Sequence, residues 1–163
     1  MERFHIRSIP KARLAAERDR ALARLREVLP EGAEALEVGS TAVDGVIGKG
    51  DIDLLVRVPA DRFEEARAAV DALWARNPEQ LSTEIYQGYS VPSELDVAVQ
   101  LTVAGGPYDD FLAFLDRLRA DPALVEGYNA LKRAHDGAPM DVYRAAKRAF
   151  IEAALASESV EES

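Results

Sequence analysis

Along residues 51–58, DIDLLVRV, apolar and polar positions alternate. In an extended chain Ile52, Leu54, Val56 and Val58 share one face, and Asp51, Asp53, Leu55 and Arg57 the other. Pro59 closes this strand, and EALEVG predicts a shorter one before it, ending at Gly39. STEIYQGYSVPSELDVAVQLTV, rich in β-branched and aromatic residues, predicts two strands joined by a turn at Pro92-Ser93. In the second of them Leu95, Val97, Val99, Leu101 and Val103 alternate with Glu94, Asp96, Ala98, Gln100 and Thr102.

Elsewhere the spacing is three and four. Leu14, Ala21, Leu22, Leu25, Val28 and Leu29 predict a helix over 9–29, ended by Pro30 and Gly32. Phe63, Ala66, Val70, Leu73 and Trp74 predict another over 61–76, capped by Asp61. After AGGP at 104–107, the best candidate for an internal boundary, helices are expected over 108–119, 122–135 and 139–156, with Asp121-Pro122 and Gly137 to Pro139 as punctuation. Trp74 and Phe150 fall at packing positions. The expectation is one domain over 1–156, an α/β core (1–104) followed by a helical part (108–156), and an acidic, frayed tail over 157–163.

Composition narrows the function classes. At 163 residues the chain can enclose a core without staples, and with no cysteine it has neither disulfides nor thiolate chemistry. No segment approaches the roughly 20 apolar residues of a membrane span, and the N-terminal stretch lacks the apolar run of a signal sequence, so a soluble, cytoplasmic protein is expected. A net charge of −9 has the wrong sign for general affinity to nucleic acid or an anionic membrane.

Against this background the acidic mouth of the central strand is conspicuous. Asp51 and Asp53 project from the same side, and Asp96 on a neighbouring strand would bring a third carboxylate, with Glu94 either beside it or on the surface. Such hard oxygen donors suit Mg²⁺ or Mn²⁺. Ten residues earlier stands Gly-Ser: Gly39 allows close backbone approach, and the turn of Gly39, Ser40 and Thr41 could cradle a triphosphate. Lys49 could add charge to the same phosphates, on a loop made pliable by Gly45, Gly48 and Gly50. Lys49 and Arg57 fit surface ion pairs equally well, and Ser40 could simply cap the turn.

The pattern Gly-Ser, ten residues, Asp-x-Asp, then a later strand Asp resembles the nucleotidyltransferase superfamily typified by DNA polymerase beta. VGSTAVDGVIGKGDIDLLV is still more similar to the GrpB-like family, whose usual form is IGSTAVPGL followed by KP-IDI-V, and YNALKR and YRAAKRAFI extend the likeness to the C-terminal helices. Two departures stand out. Asp44 replaces the usual proline, placing a negative charge near the presumed phosphate site, and ELDV replaces a His-rich HLHV, nearer to the three-carboxylate pattern. The resemblance implies an α+β nucleotidyltransferase fold, a small mixed sheet with flanking helices and a helical C-terminal part closing one side of the cleft.

It also implies metal-dependent transfer of a nucleotidyl group from a nucleoside triphosphate to a small-molecule or protein acceptor. Asp51, Asp53 and Asp96 would be the metal and catalytic residues. Lys147 would contact nucleotide or acceptor, while Tyr128, Lys132 and Tyr143 would pack, with snorkelling amines, and His5 and His135 would lie on the surface. The alternative is a non-catalytic domain binding a nucleotide or phosphorylated metabolite. Nucleotide, acceptor and oligomeric state are left open by the sequence.

Overall fold

The alternation along residues 52–58 organises the fold. The computed structural model describes residues 2–107 and 110–162, and among these the chain forms four strands and five helices. In chain order they are α1 (Lys11–Val28), β1 (Glu34–Val38), β2 (Ile52–Val58), α2 (Phe63–Asp71), β3 (Tyr86–Val91), β4 (Val97–Val103), α3 (Asp110–Ala120), α4 (Pro122–Ala134) and α5 (Met140–Glu162). The sheet order is β1-β2-β4-β3, with β2 and β4 parallel and both edge strands antiparallel to their neighbours. This is the mixed α+β architecture expected from the sequence.

The two faces of β2 serve two cores. Ile52, Leu54, Val56 and Val58 are buried with Val97, Val99 and Leu101 of β4 under Ala21, Leu22 and Leu25 of α1 and Phe63, Ala66 and Val70 of α2. A parallel pair needs a crossover, and α2 is part of it. On the opposite face Leu55 packs with Val38, Phe114, Leu115, Leu118, Tyr128 and Ala154, so α3, α4 and α5 cover that side. Trp74 and Phe150 pack against these cores.

Several boundaries differ from expectation for identifiable reasons. Asp61 caps no α-helix: Ala60–Arg62 is a 3-10 turn, and α2 starts at Phe63 without a side-chain cap. The helix also stops at Asp71 rather than 76, because the following residues pair with the outer edge of β3. Asn77 donates its amide to Gly88 and Ser90 donates to Ala75, while Asp71 anchors Arg76 at 2.8 and 2.9 Å and accepts from the Tyr89 hydroxyl. An edge strand's open donors and acceptors are thereby covered. Strand β4 begins at Val97, leaving Glu94 and Asp96 in the preceding bend, where the Ser93 hydroxyl accepts from the Leu95 amide and donates to Glu17.

The punctuation at Asp121-Pro122 is as expected: the Asp121 carboxylate accepts from the amides of Ala123 and Leu124, and Pro122 opens α4. Tyr108 and Asp109, the expected start of α3, and Ser163 lie outside the described residues, and α5 continues past Ala156 to Glu162. The N-terminal segment contributes a strap, anchored by one buried side chain, that the hydrophobic pattern did not signal. Phe4 is buried and stacked on Tyr143 at 3.7 Å, its amide donates to Ala138, and its carbonyl accepts from Gly137. No helix among the described residues is long and apolar enough to cross a membrane.

Candidate functional site

The end of β1 is laid directly against the acidic end of β2. Val38 is paired with Asp53, and the chain then turns at Gly39 with φ +88°. A Cβ on Gly39 would stand 2.6 Å from Asp53 Oδ2, so both the left-handed backbone and the contact with that carboxylate require glycine. Ser40–Ala42 form a 3-10 turn.

The side chains of Ser40 and Thr41 leave in the other direction. Thr41 Oγ1 donates to the Asp51 carbonyl at 3.3 Å, and Ser40 Oγ packs on Gly48, where an added Cβ would approach it to 2.4 Å. Both residues line a cavity of about 400 Å³ between the turn, α1 and the N-terminal segment. There Glu37 is held near Arg18, 3.7 Å away, and burial raises its pKa. Of the three turn residues, Gly39 is the one that lines the acidic cleft.

That cleft, about 480 Å³, brings together Gly39, Lys49, Asp51, Asp53, Asp96 and Lys147, with Gln100, Tyr143 and Arg144 on its walls. Asp53 is half-buried in the wall of the cleft. Burial first, and then repulsion from Asp51, raises its pKa to about 7, against the attraction of Lys147, Lys49 and Lys132. Lys49 Nζ lies 3.8 Å from Asp51 Oδ2. Asp96 is exposed at the rim, its carbonyl accepting from the Ile52 amide at 2.7 Å. Among the described residues no three acidic or histidine side chains are gathered closely enough to share an ion, because Asp96 sits in the bend rather than on β4.

Other charged residues take structural places. Asp44 is exposed beside Lys11, 3.4 Å away, and lines the same cavity as Ser40 and Thr41 rather than the acidic cleft. Glu94 pairs with Arg13 at 2.8 Å and Arg57 with Glu34 at 3.4 Å. His5 lies near Asp136 on the surface, whereas His135 is half-buried with Nδ1 2.7 Å from the Leu131 carbonyl.

The glycine loop is held by hydrogen bonds from two sides. Asn129 of α4 accepts from the Ile47 amide at 2.9 Å and donates to the Gly45 carbonyl at 2.7 Å, and the Arg7 amide donates to Gly48 from the strap. Gly50 is filled against by Ile9, 2.5 Å from where its Cβ would lie. Lys132, expected to snorkel, is instead 2% exposed. Its ammonium donates to the Ile47 carbonyl at 2.6 Å and lies 4.4 Å from the Tyr128 ring centre, and burial above all lowers its pKa to about 7. A helical apolar spacing carries no sign of where an amine at its edge ends, so the burial of this residue was not legible in the sequence.

Asp51, just before β2, and Asp53 on it line the same cleft, burial and the neighbouring Asp51 raise the pKa of Asp53, and Gly39 beside it carries no side chain. Lys49, Arg144 and Lys147 line the same cleft.

Comparison with known proteins agrees with this architecture. The chain is 33% identical over 135 residues to a UPF0157 protein of Vibrio cholerae serotype O1, covering 78% of this chain and 68% of that one. The crystal structure of conserved protein GrpB from Enterococcus faecalis superposes with a TM-score of 0.68 at 21% identity, over 89% of this chain and 94% of that chain. Cid1, in complex with its short product ApU, superposes with a TM-score of 0.50 at 13% identity, over 79% of this chain and 41% of that one. These two establish a shared fold, that of the nucleotidyltransferases. The GrpB protein family model matches residues 10–157, and the chain belongs to the GrpB family.

Proposed function

We propose that the cleft binds a nucleoside triphosphate with Mg²⁺ or Mn²⁺ and transfers its nucleotidyl group to a small-molecule or protein acceptor. The observation that carries this reading is Gly39, whose missing side chain leaves backbone lying on the Asp53 carboxylate at the cleft floor. Asp51 and Asp53 would hold the cation, which when bound offsets phosphate charge and polarises the phosphoryl centre. Lys49, Arg144 and Lys147 receive the phosphate oxygens, and the Gly39 backbone lets the triphosphate lie close. Asp96 at the rim orients the acceptor or takes its proton. The charge of −9 favours a small or protein acceptor over a nucleic acid.

One observation favours a second reading, a non-catalytic domain for a nucleotide or phosphorylated metabolite: Asp96 does not complete a three-carboxylate cluster. Thermal shift with the four ribonucleoside triphosphates and Mg²⁺ or Mn²⁺ tests what both readings share, since a ligand of the native state raises the melting temperature. At least one pair should stabilise wild type and act less on Asp53→Asn. Equal shifts in both proteins, or none in either, would reject the cleft as the site.

A further inference from the structure

We infer that Lys132 and Asn129 of α4 latch the glycine loop, residues 45–50, in the register that presents Lys49 and Asp51 to the cleft, making them positioning residues. As a statement about function this rests on the reading of the cleft just given. The latch itself rests on geometry. Three backbone groups of the loop, the Gly45 carbonyl and the amide and carbonyl of Ile47, are answered by side chains of one helix at 2.7, 2.9 and 2.6 Å. Two residues further on Lys49 faces Asp51, and the Asp51 carbonyl is itself held by Thr41. Gly48 is enclosed between the two holds: its Cβ would lie 2.4 Å from Ser40 Oγ and 3.4 Å from Lys132 Nζ.

Lys132 is a costly way to fill space. At 2% exposure, and with no carboxylate within ion-pair distance among the described residues, its ammonium forgoes hydration for one carbonyl and one aromatic face. A methionine would occupy the same volume without that cost. What the amine adds is a hold on Ile47, which serves the loop beside the cleft rather than the core.

The test uses the intact protein and the variants Lys132→Met and Asn129→Leu, each removing one side of the latch. Hydrogen exchange over 45–51 should quicken at least about tenfold in both, as loss of a strong hydrogen bond implies, while amides of β2 and β4 stay protected. Lys132→Met should keep or raise the melting temperature, yet its stabilisation by MnCl₂ should shrink. Unchanged loop exchange in both variants would overturn the latch. Faster exchange throughout the molecule, or a loosened loop with an undiminished Mn²⁺ response, would overturn the positioning role. A wild type indifferent to Mn²⁺ and nucleotides would reject the function proposed for the cleft, with loop exchange still deciding the latch.

Discussion

Asp53 is the residue on which most of the site's physics converges. Burial, and then the neighbouring Asp51, push its carboxyl up from 3.8 to about 7, so between those values the folded protein binds more protons than the unfolded chain. Stability is therefore present at low pH and lost as pH rises through about 7, the reverse of an ordinary paired carboxylate. Without divalent ions the wild-type melting temperature should fall between about pH 5 and 7.5, over and above the trend in Asp53→Asn, which lacks this group; parallel profiles would contradict the assignment. Above that window a cation that replaces the proton should bind more tightly. Gly39→Ala should cost more than the roughly 1–2 kcal/mol of a left-handed backbone, because its Cβ also meets Asp53, and pairing it with Asp53→Ala should recover part of the loss in denaturant titrations. Gly39, Asp51 and Asp53 were legible because a strand's period of two and a glycine at its end say where side chains go. That Ser40 and Thr41 line a different cavity from Gly39 was not legible, since it depends on the 3-10 turn that they form.

At the scale of elements, α4 does more than pack. It covers the second core with Tyr128 and holds the glycine loop with Asn129 and Lys132, so its capping reaches the cleft. Asp121→Ala should cost about 1 kcal/mol, seen as a lower urea midpoint with an unchanged slope. A loss within error would mean that Pro122 and tertiary contacts alone fix the helix start. The strand and helix assignments followed from periodicity because both faces of β2 are committed to cores. The ends of α2 and the start of β4 did not, for reasons beyond local pattern: residues 75–77 are claimed by the edge of β3, and Ser93 folds a bend where the alternation continues unbroken. The strap at residues 2–9 was likewise hidden, since Phe4 is isolated in sequence and finds Tyr143 only through the fold.

For the whole molecule, the sheet lies between α1 and α2 on one side and α3 to α5 on the other, and the cleft opens where the acidic end of β2 emerges from this packing. The GrpB fold and its likeness to nucleotidyltransferases could be read from GSTAV and the Asp-x-Asp strand, because that motif ties a turn to a strand pair. The relation of Asp96 to the pair could not, since it depends on one bend. Incubation with α-³²P-labelled nucleoside triphosphate, Mg²⁺ or Mn²⁺ and cell extract tests most directly whether the cleft transfers a nucleotidyl group, as proposed above. Wild type should move label into a new product with release of pyrophosphate, and Asp53→Asn should not. Nucleotide binding by wild type with no label transferred in any extract would contradict the claim and leave a binding domain.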